Sequence, residues 1–142
     1  MTDDSDLMDK RRAGMKRFLD KLPVVPLYDG TPKAPRIYVF AFPFGIDERI
    51  RFADKYNLAP GCPKLHRARL AWVGVKENAP AVGPAIYHSV IMYQGGETLG
   101  ITVATNRNAK ELAMAQDIDH ILKVQSWLVA LHSPRWYHLI EI

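Results

Sequence analysis

Two stretches of alternating apolar and polar residues flank a glycine pair in the second half of the chain: residues 85–94, AIYHSVIMYQ, and residues 97–105, ETLGITVAT. Period-two alternation marks a half-buried strand. Gly95-Gly96 predicts a two-residue type I′ reversal, whose central residues both need positive φ. A turn at that point sets the register. Met92 faces Leu99, Val90 faces Ile101, His88 faces Val103 and Ile86 faces Thr105, and this largely apolar face is assigned to the core. The opposite face sets Tyr93 against Thr98, Ile91 against Gly100, Ser89 against Thr102 and Tyr87 against Ala104. Large side chains on one strand meet small ones on the other. The expectation is a shelf with two phenols, covered by a helix or by another chain, or open to a ligand or a stacked base.

Helical spacing appears at three places. Residues 4–22 place Met8, Met15, Phe18, Leu19 and Leu22 on one narrow stripe, with acids leading and bases following, as the helix dipole favours. Asp47 to about Asn57 follows Pro43-Phe44-Gly45, with Asp47 as the expected cap and Ile50, Ala53 and Tyr56 (or Phe52) turned inward. Asn108 and Glu111 have capping-box spacing, and a continuous helix to about Leu131 is expected, with Leu112, Ala115, Ile118, Ile121, Leu122, Gln125 and Leu128 on a core stripe broken only by Gln125. Strands are predicted at Arg36–Phe42, apolar on both faces and so central, at His66–Lys76, and at Arg135–Ile142. Residues 23–35 hold four prolines and the turn pair Asp29-Gly30, so an extended, irregular segment is expected, with at most a short edge pairing at Val24-Val25.

The resulting organisation is an N-terminal helix over 1–22, a Pro-rich extended linker over 23–35 and a single α+β domain over 36–142. The order α-β-α-β-β-β-α-β suggests a mainly antiparallel sheet with helices packed on one face, a ferredoxin-like variant; the alternative is a profilin- or PAS-like sheet.

Composition narrows the class. One cysteine, Cys62, excludes an intrachain disulfide and a cysteine-based zinc motif. No apolar run approaches the ~18 residues of a membrane span, and the leading acids argue against a signal or transit peptide, so an intracellular, cytoplasmic or nuclear protein is expected. Net charge is +4, but residues 33–76 alone hold nine basic and three acidic side chains. That concentration favours an anionic partner.

Arg49, Arg51, Lys64, Arg67 and Arg69 are therefore the candidate binding set. On the predicted strand, Arg67 and Arg69 would project from one face and repel each other unless an anion intervened. Tyr38, Tyr87 and Tyr93 are candidate stacking groups. His88, placed on the core face, and His138 would line a pocket if their strands were neighbours. Asp117 and His120 share a helix face at i, i+3 but read as a solvated polar side. No cofactor, metal or catalytic motif is found.

The run Ile37–Pro43, followed by Glu48, Phe52 and Tyr56, resembles the first strand and helix of an RNA-recognition motif, which would make Tyr38 the base-stacking position. The family's second signature calls for aromatic residues in a basic octapeptide; residues 68–75 offer Trp72 alone, so the chain is not assigned to that family.

The functional expectation is a non-enzymatic binding domain for an anionic partner, nucleic acid being the most specific version, using the basic 33–76 region. The alternatives are a cofactor-free enzyme or small-molecule binder with a His/Tyr pocket between sheet and helices, and a homo-oligomeric (homodimer) interaction subunit using the Tyr87/Ile91/Tyr93 shelf.

Overall fold

The structure is a computed structural model that describes residues 4–28, 36–82 and 87–141. Asp29-Gly30, Ile86, the Tyr87 side chain and Ile142, all part of the expectations above, lie outside what is described. The class is α+β. Five α-helices, one 3-10 turn and four antiparallel strands are found among the described residues.

The strands are β1 (Tyr38–Pro43), β2 (Tyr87–Tyr93), β3 (Gly96–Thr105) and β4 (Arg135–Glu141). They pair in the order β1-β3-β2-β4, and β4 returns to β1, so the sheet closes on itself. This is neither the ferredoxin-like nor the profilin/PAS-like arrangement expected. Closure gives the sheet two buried faces. Outside, Phe40 and Phe42 of β1, Ile101 and Val103 of β3 and Trp136 of β4 meet the helices. Inside, Val39, Ala41 and Ile91 form a small separate core with Tyr137 and Leu139. A strand serving both faces must be apolar on both, which is why β1 reads YVFAFP without alternation.

The hairpin reverses one residue earlier than its glycines suggest. Gln94 and Gly95 hold the two positive φ values, 51° and 81°, and Tyr93 pairs with Gly96. The register slips by two residues, so His88 faces Ile101 and Val90 faces Leu99. An even slip keeps every side chain on its expected face. On β3 the assigned core face is buried as expected, at Ile101 and Val103, but on β2 the sealed residues are those of the other face. Ile91 and Ser89 on the expected shelf are buried inside the closed sheet, whereas His88 and Met92, assigned to the core, are exposed. The shelf is closed by β4, which pairs Leu139 with Ile91.

The predicted strand His66–Lys76 is a helix, α3 (Lys64–Val82). Its buried residues Ala68, Ala71 and Val75 recur at helical spacing, and Ala, Leu and Arg are strong helix formers. The alternation was misleading because Ala71, Val73 and Val75 are apolar on the face that Arg67 and Arg69 would have shared. On a helix those two arginines point in nearly opposite directions.

The remaining helices are α1 (Asp4–Asp20), α2 (Ile46–Lys55), α4 (Ala109–Ala113) and α5 (Ile118–Leu128). In α1, Met15 and Leu19 enter the main core, and Arg12 Nε reaches Asp119 Oδ1 of α5 at 2.7 Å. Gly45 occupies the N-cap of α2 without a side-chain cap, so Asp47 sits in the first turn instead of capping it. Phe52 and Ala53 of α2 are buried, while Tyr56 is exposed and donates its hydroxyl to Trp127 O at 2.8 Å. With Lys55 Nζ at 3.1 Å from Ser126 O, it satisfies carbonyls at the end of α5.

The expected capping box is present: Asn108 Oδ1 accepts from Glu111 N at 2.9 Å, and Asn108 Nδ2 donates to Glu111 Oε2 at 2.7 Å. The helix it starts is not continuous. A 3-10 turn, Met114–Gln116, interrupts it, and Asp117 caps a new helix by accepting from His120 N at 3.2 Å. The i, i+3 pair Asp117/His120 is therefore a cap.

His120 provides a pH test. Its Nε2 is buried without a hydrogen-bond partner, and burial lowers its pKa below the usual 6.5, with Asp117 opposing and Lys123 adding to the shift. As pH falls through 6.5 the unfolded chain takes up a proton that the folded chain resists. Stability therefore declines until the lowered folded pKa is passed. Urea unfolding at pH values on either side of 6.5 should show this decline, and His120→Gln should flatten it.

After α1, residues 23–28 form neither helix nor strand. Val24 is 96% exposed and forms no strand, and the segment is held by Tyr28 N, which donates to Asn106 O at 2.8 Å.

Candidate functional site

Side chains on the inner face alternate along β2 and β4. Ile91 and Leu139 close the floor of the interior, Tyr93 and Tyr137 come next, and Arg135 stands beyond them. The two phenol rings meet edge to face, with centroids 6.2 Å apart. There the interior opens into a cleft of about 660 Å3. One wall is the start of α2, with Asp47, Glu48 and Arg51. The other is the segment after α5, with Leu131, His132 and Ser133. Phe18 of α1 also borders the cleft, and the Arg135 guanidinium lies 5.6 Å from its ring centroid.

Burial and the neighbouring Tyr93 raise the Tyr137 phenol above its usual value, with Arg135 opposing, so Tyr137 enters the cleft as a neutral hydroxyl. Tyr93 OH accepts from Gln94 Nε2 at 3.3 Å. Asp47 is 3.8 Å from Lys64 Nζ of α3. Arg51, three and four residues beyond Glu48 and Asp47, pairs with neither. Among the described residues Arg51, Glu48 and the Tyr137 hydroxyl make no side-chain hydrogen bond or ion pair.

The members of the basic set have different partners. Arg67 holds α2 to α3: its Nε donates to Leu58 O at 3.0 Å, and Nη1 lies 2.7 Å from Asp54 Oδ1 with the side chain 16% exposed. Arg49 is half-buried and bonds Gly45 O at 3.3 Å; desolvation lowers its pKa, and Glu48 opposes the shift. Lys64 is the cation beside Asp47, and Arg69 is exposed on α3. Of the five, Arg51 alone borders the cleft, where it joins Tyr93 from the stacking candidates.

Tyr38 is at the far end of β1, with its ring centroid 4.5 Å from that of His138. His88 stands edge-on to Trp72 at 5.3 Å. The two histidines thus have different ring partners. No group of three or more His, Cys, Asp or Glu side chains suited to a metal comes together among the described residues.

Tyr137, Arg135, Glu48 and His132 were not singled out from sequence. The signal for Tyr137 and Arg135 was there: the final strand RWYHLIE alternates, so Arg135, Tyr137 and Leu139 share one face. Which face was the inner one depended on closure. No helix of the described residues is long and apolar enough to cross a membrane. Comparison with known proteins finds no matching family model, no matching curated protein and no matching solved structure.

Proposed function

We propose that this is a non-enzymatic binding domain whose anionic ligand is a small molecule. The anionic group is taken by Arg51 with Arg135, and an apolar or planar body lies against Tyr93 and Tyr137. One observation carries the reading: Arg51 and the Tyr137 hydroxyl face a cleft of about 660 Å3 with no protein partner of their own among the described residues. The volume lies within the ~300–1,000 Å3 usual for small-molecule sites. A guanidinium with free donors suits a carboxylate or phosphate, which it can hold through two parallel hydrogen bonds.

The wider basic surface supports nucleic acid less well. Arg67 is spent on the α2–α3 clamp and Lys64 on Asp47, which leaves no continuous stripe of free cations among the described members of the set.

Calorimetric titration with 3-phenylpropanoate tests the proposal. Binding is expected, and Arg51→Ala should weaken it at least ~10-fold, the effect of losing one charge-assisted bond. Arg69→Ala should leave it unchanged. Should a single-stranded oligonucleotide bind instead, with steep salt dependence and equal losses from Arg51→Ala and Arg69→Ala, the extended basic surface would be the site.

A further inference from the structure

We infer that the ligand of this cleft is a zwitterion: a small molecule carrying an ammonium group as well as the anionic one. The inference rests on the anion reading above and extends it.

The starting point is a pairing that does not occur. Glu48 and Arg51 are three residues apart on α2, and Asp47 and Arg51 four apart, spacings at which opposite charges on a helix ordinarily meet. Asp47 turns to Lys64 at 3.8 Å, and neither carboxylate comes within 4.0 Å of Arg51. Both Glu48 and Arg51 are half-buried and border the same cleft, and neither has an ion pair within 4.0 Å among the described residues, although the Glu48 charge also acts on Arg49. Long side chains of opposite sign that share a cleft in water normally neutralise each other. Kept apart, they leave an acceptor and a donor at two separated points of one wall.

The lining of the cleft also includes Arg135 and His132. A purely anionic ligand would satisfy the cations but would bring its charge near Glu48, where like charges repel. A purely cationic ligand would meet Arg51 and Arg135. A ligand with both signs answers the two unlike charges together, its anion at Arg51 and Arg135 and its ammonium at Glu48. The Tyr137 hydroxyl remains as a neutral hydrogen-bonding group beside its body.

Three probes that share one phenyl scaffold separate the possibilities: phenylalanine, 3-phenylpropanoate and phenethylamine, titrated against the full chain. Phenylalanine should bind about tenfold more tightly than 3-phenylpropanoate, because one further charge-assisted bond is made. Glu48→Gln should abolish that advantage while leaving 3-phenylpropanoate no weaker than before. Equal affinities for phenylalanine and 3-phenylpropanoate would overturn the zwitterion inference and leave the anion reading standing. Tightest binding of phenethylamine, or no binding of any probe, would overturn both. The wild-type comparison decides the matter even if Glu48→Gln does not fold.

Discussion

Asn106→Ala is expected to lower folding stability by about 3–5 kcal/mol, measured as a shift in the urea midpoint. Asn106 is fully buried at the end of β3. Its Oδ1 accepts from Tyr38 N at 2.7 Å, and its Nδ2 donates to both Pro26 O and Arg36 O at 2.9 Å. Its backbone N donates to Tyr38 O at 3.3 Å, and its O accepts from Tyr28 N at 2.8 Å. One side chain therefore holds the segment after α1 against the start of β1. An alanine leaves three backbone groups to find water or go unpaired, each costing about 1–3 kcal/mol where water cannot reach. Asn106→Asp keeps the acceptor, loses both donors and adds a charge facing two carbonyl oxygens. It should be no better tolerated than alanine. A loss below about 1 kcal/mol for either change would mean the segment does not depend on this residue.

Gly100→Ala should destabilise by about 1–3 kcal/mol, although alanine usually favours a strand over glycine. A Cβ at Gly100 would lie 3.0 Å from Ile91 Cδ1 and 3.4 Å from both of its γ carbons. Ile91 has nowhere to go: it is fully buried in the closed interior with Val39 and Ala41. The steric term therefore outweighs the ~0.5–1 kcal/mol backbone gain. Ile91→Val removes the atom at 3.0 Å and alone costs about 0.5–1.5 kcal/mol. Combined, the two changes should cost less than their sum by about 1 kcal/mol, the mark of directly touching side chains. Strict additivity in a double-mutant cycle would show that the glycine is not there to admit Ile91.

The sequence by itself determined the local devices. The Asn108–Glu111 cap, the hairpin near Gly95, the N-terminal helix and the final strand were all legible, because each depends on groups within a few residues of one another. Even the slipped register kept the facing sets intact, since side-chain direction along a strand has period two.

Tertiary structure decided which face of each element is hidden. Whether Ile91 or Val90 is sealed depends on β4 closing the ring against β2, and nothing near residue 91 reports that a strand will arrive from residues 135–141. The same closure made the open end of the interior the cleft, brought Arg51, Tyr93, Tyr137 and Arg135 to it, and left His88 outside. The expected strand His66–Lys76 is part of a helix for a related reason: Ala, Leu, Val and Arg suit a helix or a strand, and packing of Ala68, Ala71 and Val75 on the core chose the helix. A short-range pattern states which side chains travel together; burial, which is set by the whole chain, states where they go.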